Sequence, residues 1–140
     1  MAQLLVRHAK AGKRTDWEGD DRHRPLDEKG WRQAEGLVEA LAPYRVTRLA
    51  SSGATRCTQT LEPLAEALGL EIEPRWDLEE GATREQTLAL MAELGDGAVL
   101  CTHGEILETL FGEEGQKGST RIVDLENGVP VVREYLSPPG

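Results

Sequence analysis

Short apolar runs alternate with amphipathic stretches along most of the chain. The run at residues 4–6 predicts a buried strand, and similar runs predict strands at 46–50 and 98–101 and a weaker one within 70–78. Apolar residues follow these strands at helical spacing, which predicts helices through positions 31–41, 57–68, 88–94 and 106–111.

The ends of these helices carry their own signals. Asp27 is a plausible N-cap for the first helix, and Thr83 with Gln86 fits a capping box before the third. Gly69 is placed to end the second helix. Pro63 lies inside that second helical pattern, so we expect either a kink or a helix that starts later than the pattern suggests.

The carboxyl-terminal part has a different pattern. Two strand-like runs, at 120–125 and 129–135, flank Asn127-Gly128, which predicts a hairpin. Together with the alternating strands and helices, this favours an α/β fold with three layers, α/β/α, around a mostly parallel central sheet. We expect a single domain over residues 1–140, because a chain of this length buries a sizeable core.

Residues 11–25 show neither helical nor alternating periodicity. They are rich in glycine and charged residues, and they follow the first strand directly. We therefore predict a loop over the end of that strand, and long loops of this kind often carry function. His23 lies in it between two arginines, where we expect a solvated side chain.

Composition narrows the class of protein. Hydrophobic residues make up 39% and charged residues 29% of the chain, which is typical of a globular protein. No apolar run approaches the roughly 20 residues of a membrane-spanning helix. The chain passes from Met1-Ala2-Gln3 straight into the first strand, so we expect a cytoplasmic location and no membrane partner.

The charge distribution points to a local anion site. The net charge of −9 argues against binding to a nucleic-acid polymer or an anionic membrane. The first 34 residues nevertheless hold eight Lys or Arg against six Asp or Glu. A cation-enriched segment on an acidic protein suits a small anionic ligand.

The two cysteines form no disulfide framework and no Cys-x-x-Cys pair. We expect Cys57 and Cys101 to be reduced and buried. Cys101 lies two residues before His103, which raises the possibility of a cysteine nucleophile. The Cys-x5-Arg loop of cysteine phosphatases is missing, however, because Leu107 occupies the arginine position.

Anion-binding residues follow three predicted strands. Since the carboxyl ends of parallel strands meet at one edge of a sheet, these residues are expected to converge in one crevice. Arginine suits a phosphoryl group because its planar fork makes bidentate, charge-assisted hydrogen bonds. Helix starts near the glycines add backbone donors. The residues are Arg7-His8 with Lys10, Ser51-Ser52-Gly53 with Arg56, and Thr102-His103-Gly104.

These segments also carry a family resemblance. Arg7-His8-Ala9, Ser51-Ser52-x-x-x-Arg56-x-x-Gln59-Thr60 and His103-Gly104 resemble the signature of the histidine phosphatase superfamily, with its phosphoglycerate-mutase-like fold, and especially its short SixA-like branch. The likeness spans residues 4 to about 111. The segment from Lys117 to Thr120 contributes to a fainter similarity, to the phosphatase-like domain attached to some MutT-type Nudix hydrolases. Gly53 departs from the pattern, because many members have proline there, and we expect a looser turn.

The resemblance implies roles for the matching residues. His8 would attack phosphorus and become a phosphohistidine, Arg7 and Arg56 would bind the phosphoryl oxygens, and His103 would complete the pocket. Lys10, Ser52 and Gly104 are further candidates for substrate binding. A nucleophilic imidazole must be neutral, and cationic neighbours disfavour its protonated form. Neither a metal nor a cofactor is implied.

A general acid for the leaving group is expected in the acidic loop of residues 77–81. Members of the family often carry the acid there, and Glu80 and Glu79 are the first candidates, with Asp77 a third. The alternative is that the whole run is simply solvated. A good leaving group, such as imidazole or phosphate, would make the acid dispensable.

We therefore expect a metal-independent phosphatase, a phosphoric monoester hydrolase, acting on a small phosphate ester, a nucleotide phosphate or a phosphohistidine protein. One alternative is a non-catalytic phosphate-binding or interaction module on the same fold. Another is a phosphoglycerate-mutase-type phosphotransferase, which a short chain with little material for a lid disfavours. A metal hydrolase using His8, His23 and His103 is weakly indicated, because their spacing fits no metal motif. The sequence carries no signal for an oligomeric state.

Overall fold

The structure is a computed structural model that describes residues 2–140. Across these residues it holds a six-stranded sheet and four α-helices. The strands are β1 (Gln3–Arg7), β2 (Arg48–Ser51), β3 (Ile72–Pro74), β4 (Ala98–Thr102), β5 (Thr120–Glu126) and β6 (Val129–Leu136). The helices are α1 (Glu28–Ala40), α2 (Thr55–Leu68), α3 (Arg84–Leu94) and α4 (Gly104–Phe111).

The strand order explains why the predicted site residues meet. The sheet runs β3-β2-β4-β1-β5-β6, and the first four of these strands are parallel. The ends of β1, β2 and β4 therefore lie side by side at one edge. Strands β5 and β6 are an antiparallel addition beside β1. The predicted three-layer α/β/α fold with a mostly parallel sheet is confirmed.

The two faces of the sheet are covered by different helices. Successive side chains of a strand point to opposite faces, so Leu4 and Val6 pack on one side and Leu5 on the other. Leu61 of α2 belongs to the first cluster and Met91 of α3 to the second. Apolar residues on both faces of β1 and β4 thus make the continuous hydrophobic runs that the sequence shows.

The predicted helix signals are confirmed at three ends. The Asp27 carboxylate accepts a hydrogen bond from the backbone N–H of Gly30 at 2.8 Å. Thr83 and Gln86 form both bonds of the capping box. Gly69 ends α2 with a φ of 68°, a left-handed conformation that glycine adopts without a steric penalty.

Of the two outcomes expected for α2, a kink or a late start, the late start is wrong. The helix begins at Thr55 and continues through Pro63 to Leu68. Proline removes one helical hydrogen bond, but Cys57 and Leu61 are fully buried on the same helix. Tertiary packing of this apolar face outweighs the local preference.

The carboxyl-terminal hairpin is confirmed, and its direction matters for the site. Asn127 and Gly128 both have positive φ, 54° and 79°, as a two-residue hairpin turn requires. Because β5 is antiparallel to β1, its first residue, Thr120, pairs with Val6 near the end of β1. The chain just before β5 therefore lies at the edge where the parallel strands end.

The segment between β1 and α1 contains two short 3-10 turns, Arg14–Asp16 and Asp21–His23. A third such turn, Trp76–Leu78, follows β3, which is shorter than the predicted run at 70–78. Among residues 2–140, none of the helices has the length and apolar character needed to cross a membrane.

Candidate functional site

A cavity of about 620 Å³ lies at the edge of the sheet where the parallel strands end. Most of the residues predicted to form the site line this cavity. Ser52 and Glu79 are predicted site residues that do not line it. Those that do are Arg7, His8, Lys10, Arg56, Glu80, His103 and Gly104.

His8 is held in one tautomer by the backbone. Its Nδ1 lies 2.8 Å from the carbonyl oxygen of Ala9. Since a carbonyl can only accept, Nδ1–H donates and the neutral ring keeps its lone pair on Nε2. The Ala9 N–H donates in turn to Oγ1 of Thr60 at 2.9 Å, and the Thr60 hydroxyl donates to the carbonyl of Arg56 at 2.7 Å. Helix α2 thus fixes the peptide that orients the His8 ring.

The surroundings of His8 keep its imidazole neutral. Burial is the main cause that lowers its pKa, from 6.5 to about 3. The hydrogen bond to Ala9 opposes this change, while electrostatic interactions with His103, Arg56 and Arg7 add to it. Near pH 7 the ring is therefore unprotonated, as a nucleophile must be.

Arg7 reaches the loop that precedes β5. Its Nη1 donates to the carbonyl of Gly115 at 2.6 Å, and its Nη2 lies 3.2 Å from Oε2 of Glu114. The guanidinium is thus held by a loop that the predicted site did not include. Glu114 presents a carboxylate to the same fork that would bind a phosphoryl oxygen.

Arg56 is 2% exposed and comes from the start of α2. Its Nη1 donates to the carbonyl of Asp21 at 2.8 Å. Its Nη2 lies 3.2 Å from Oε1 of Glu80 and 3.3 Å from Oδ2 of Asp21. A buried guanidinium is costly without anionic partners, and here two carboxylates supply them.

His103 faces His8 across the cavity, with the ring centroids 5.6 Å apart and the rings at 68°. Its Nε2 is 2.9 Å from Oγ of Ser52 and 3.7 Å from Sγ of Cys57. Its Nδ1 has Oε1 of Glu80 at 3.9 Å, beyond hydrogen-bond distance. Ser52, which does not line the cavity, therefore orients the ring of His103 through a hydrogen bond at Nε2.

Three buried side-chain nitrogens of the described residues have no hydrogen-bond partner. They are Nε of Arg7, Nε of Arg56 and Nδ1 of His103, and all three residues line the cavity. Buried N–H groups are nearly always paired, so three of them around one cavity indicate a site for an acceptor-rich ligand. A phosphoryl group has the required oxygen acceptors and negative charge.

The two candidate acids occupy different places. Glu80 lies in the cavity beside Arg56 and His103. Glu79 forms an ion pair with Arg22 and lines a smaller neighbouring cavity of about 250 Å³. Asp77 is buried, with a carboxylate oxygen 3.7 Å from Arg75. The geometry therefore favours Glu80 among the three.

Both cysteines are free and fully buried, as predicted. Burial and the neighbouring Cys57 raise the pKa of Cys101 well above its ordinary value, so Cys101 is a thiol. It does not line the cavity. Cys57 does not line it either, so neither cysteine is placed to attack a ligand in the cavity.

His23 is exposed and lies outside the cavity wall, in the loop before α1. Within residues 2–140, no three His, Cys, Asp or Glu side chains gather in a way that would hold a metal ion.

Sequence reasoning missed several residues of the cavity wall. Glu114 and Lys117 are more than a hundred residues from His8, in a stretch without periodicity, and only the direction of β5 brings them to the site. Arg24 lies in the loop after β1, where the sequence offered no means of deciding which charged side chains turn inward. Asp21, from the same loop, lies outside this wall but forms an ion pair with Arg56.

The sequence and the fold are similar to those of known proteins. The model of the histidine phosphatase superfamily (branch 1) matches residues 3–96. An 8-oxo-(d)GTP phosphatase of Mycolicibacterium smegmatis is 36% identical over 97% of this chain and 48% of its own length. The chain thus spans about half the length of that curated relative.

Solved structures share the fold over nearly the whole chain. A protein of Agrobacterium tumefaciens assigned as the phosphohistidine phosphatase SixA is 26% identical, with a TM-score of 0.78 over 98% of this chain and 97% of that one. The protein histidine phosphatase SixA in complex with tungstate is 22% identical, with a TM-score of 0.75 over 99% and 97%. At that identity the second likeness concerns the fold alone.

Proposed function

Because the chain belongs to the histidine phosphatase superfamily (branch 1), we propose that it is a metal-independent phosphatase that works through a phosphohistidine on His8. The observation that supports this most directly is a neutral, buried His8 ring facing three unpartnered buried nitrogens of Arg7, Arg56 and His103. A nucleophile and donors for the phosphoryl oxygens thus line one cavity.

In the first step, Nε2 of His8 attacks phosphorus and forms an N–P bond. The bond from phosphorus to the leaving oxygen breaks, and that oxygen takes the electron pair. The guanidinium groups of Arg7 and Arg56 and the Nδ1–H of His103 stabilise the charge on the equatorial oxygens in the transition state. The Nδ1–H bond of His8 to Ala9 stabilises the positive charge that the ring gains.

In the second step, water attacks the phosphorus of phospho-His8. The N–P bond breaks, its electron pair returns to Nε2, and orthophosphate leaves. Glu80 is the proposed proton donor to an alkoxide leaving group and the acceptor of the proton that the attacking water loses. Its position beside Arg56 and His103 supports this role.

The relatives suggest candidate substrates. The Mycolicibacterium smegmatis relative is named for a nucleotide, 8-oxo-(d)GTP, and the Agrobacterium tumefaciens protein for phosphohistidine. A small phosphate ester, a nucleotide phosphate and a phosphohistidine protein therefore all belong to the proposed range.

The proposal is tested by trapping the intermediate. Wild-type protein is mixed with ³²P-labelled phosphoramidate or acetyl phosphate, quenched, and examined for acid-labile, base-stable label. Turnover of p-nitrophenyl phosphate is measured in parallel, with and without EDTA. We expect labelling and turnover in the wild type, unaffected by chelator, and neither in His8→Ala.

The matched control is His23→Ala, which removes an exposed imidazole outside the cavity. It should label and turn over like the wild type. Full activity in His8→Ala would exclude the phosphohistidine route. Phosphate binding through Arg7 and Arg56 without labelling or turnover would instead favour a binding module on this fold.

A further inference from the structure

The cavity extends beyond the phosphoryl pocket, and its outer wall is strongly cationic. Its charged lining in the described part of the chain comprises seven Lys or Arg and three Glu, although the protein as a whole has a net charge of −9. A local excess of positive charge in a cleft attracts anions. The cations are Arg7, Lys10, Lys13, Arg14, Arg24, Arg56 and Lys117, and the acids are Glu80, Glu105 and Glu114.

The position of Lys117 is fixed by the backbone beside it. The N–H of Gly118 lies 3.1 Å from the carbonyl oxygens of both Arg7 and His8. Gly118 has a φ of +86°, and a Cβ at that position would lie 3.0 Å from Oε1 of Gln33. Glycine is therefore needed for this close approach, which holds Lys117 next to the end of β1.

The positive charge of Lys117 has no close counter-charge. Among residues 2–140, the ion pairs place carboxylates on Arg7, Arg56 and other cations of the wall, but none within 4 Å of Lys117. Loss of hydration and the nearby charges of Arg7, Arg24 and Lys10 lower the pKa of Lys117, although Asp27 partly opposes this. Arg7, Arg24 and Lys10 each have a carboxylate partner, so Lys117 is the group of these four that an added anion stabilises most.

Two further cations complete this outer wall. Nζ of Lys10 lies 2.5 Å from Oδ2 of Asp27 and follows the nucleophile by two residues. Arg24 is 8% exposed, and its Nε donates to Oδ1 of Asp21 at 2.9 Å. These bonds hold both side chains in place on the wall.

We infer that Lys117, Lys10 and Arg24 form a second anion subsite, and that the substrate is a phosphoanhydride with a second phosphoryl group bound there. Inorganic pyrophosphate and a nucleoside diphosphate share this chemistry. The inference rests on the proposed function, because the terminal phosphoryl group is the one placed against His8.

The chemistry of the anhydride suits this division of the cavity. Nε2 of His8 attacks the terminal phosphorus, the bond from that phosphorus to the bridging oxygen breaks, and the electron pair leaves on that oxygen. The leaving group is then a phosphate or nucleoside monophosphate, which departs as a stable anion without a proton. The negative charge that develops on the leaving phosphate is then next to the cations of the second subsite, which stabilise this charge in the transition state.

The first test is a binding measurement that needs no turnover. The affinities of wild-type protein for imidodiphosphate and for orthophosphate are compared by calorimetry at pH 7. A charge-assisted hydrogen bond contributes enough for us to expect imidodiphosphate to bind at least about 10-fold more tightly. In Lys117→Gln this preference should shrink by about 10-fold, and Lys117→Arg should restore most of it.

The matched control is Lys29→Gln, an exposed lysine of α1 outside the cavity wall, which should keep the wild-type preference. In kinetics, kcat/KM for pyrophosphate and for GDP is divided by kcat/KM for p-nitrophenyl phosphate. We expect this ratio to fall in Lys117→Gln but not in Lys29→Gln. If the ratio falls in Lys117→Gln for GDP but not for pyrophosphate, the subsite is specific for nucleotides. If it falls for both substrates, the subsite accepts any phosphoanhydride.

The second subsite would be overturned if wild-type protein bound imidodiphosphate and orthophosphate with equal affinity. It would also be overturned if Lys117→Gln lowered kcat/KM equally for the monoester and the anhydrides. Either result would leave phosphohistidine formation on His8 intact. Absence of both labelling and monoester turnover would overturn the proposed function. The binding comparison would then decide the subsite by itself.

Discussion

Arg22 crosses directly over Gly53 to form an ion pair with Glu79. A Cβ on Gly53 would overlap Nη2 of Arg22 and lie 3.6 Å from Oε2 of Glu79. Gly53 thus leaves room for the Arg22 side chain. The contact links the loop after β1 to the acidic loop that carries Glu80.

We predict that Gly53→Ala releases Arg22 from Glu79 without unfolding the protein. An exposed ion pair contributes at most about 1 kcal/mol, so the free energy of unfolding in urea should change by no more than that. Hydrogen exchange in residues 11–25 should become faster. Gly12→Ala, in the same loop with no atom within 4 Å of the new Cβ, is the control. An equal effect of Gly53→Ala in an Arg22→Ala background would contradict this account.

Glu114→Gln should strengthen phosphate binding. The Glu114 carboxylate lies 3.2 Å from Nη2 of Arg7 and competes with phosphate for that guanidinium. Removing its charge should lower the Kd for orthophosphate by roughly 2- to 10-fold at pH 7, as measured by calorimetry. Glu113→Gln removes the same charge one residue away, outside the cavity wall, and should have a smaller effect. Weaker binding in Glu114→Gln would mean that Glu114 supports Arg7 instead of competing for it.

The buried imidazole of His8 should make the protein acid-sensitive. Its pKa is about 3 in the folded protein against 6.5 for the free side chain. Below pH 6.5 the unfolded chain takes up a proton that the folded chain refuses, so stability falls as the pH falls from 6.5 towards 3. Between pH 7 and pH 5 this single group should cost about 2 kcal/mol.

The measurement is urea unfolding at pH 7 and pH 5. His8→Gln should lose about 2 kcal/mol less stability than the wild type over this interval. His23→Gln, which removes an exposed imidazole, should behave like the wild type. Parallel losses in all three proteins would show that His8 titrates normally in the folded state.

Glu80→Gln should lower kcat/KM more for substrates with poor leaving groups than for those with good ones. If Glu80 donates a proton to an alkoxide, kcat/KM for glycerol phosphate should fall about 100-fold, and that for p-nitrophenyl phosphate less than about 10-fold. Glu79→Gln should affect the two substrates alike, because Glu79 pairs with Arg22 outside the cavity. Equal losses for both substrates in Glu80→Gln would assign this carboxylate to positioning Arg56.

Much of the fold follows from local pattern. Residues such as Leu5 and Leu100 lie in strands buried on both faces, and their apolar runs are visible in the sequence. The path of α2 through Pro63 could not be predicted in this way, because it depends on packing of Cys57 and Leu61 against the sheet. Propensity acts locally, whereas burial is decided by the whole chain.

The inner part of the candidate site was predictable for a related reason. His8, Arg56 and His103 follow strands, and parallel topology brings the ends of such strands together. Glu114 and Lys117 lie in a stretch without periodicity, and their place depends on the antiparallel direction of β5. Their roles needed coordinates, because no sequence pattern states which way an added edge strand runs.

The reversed direction of β5 separates two parts of the site along the chain. The reacting groups are attached to the parallel core, whereas residues 112–119 reach the mouth of the cavity from a strand that the core does not require for its own pairing. Exchanging the side chains at positions 113, 114, 116 and 117 between relatives, with Gly115 and Gly118 kept because they hold Arg7 and the end of β1, should therefore alter which phosphorylated molecule is accepted while conserving the attack at phosphorus. Substrate selectivity in this fold can therefore be transferred between relatives with a short loop segment.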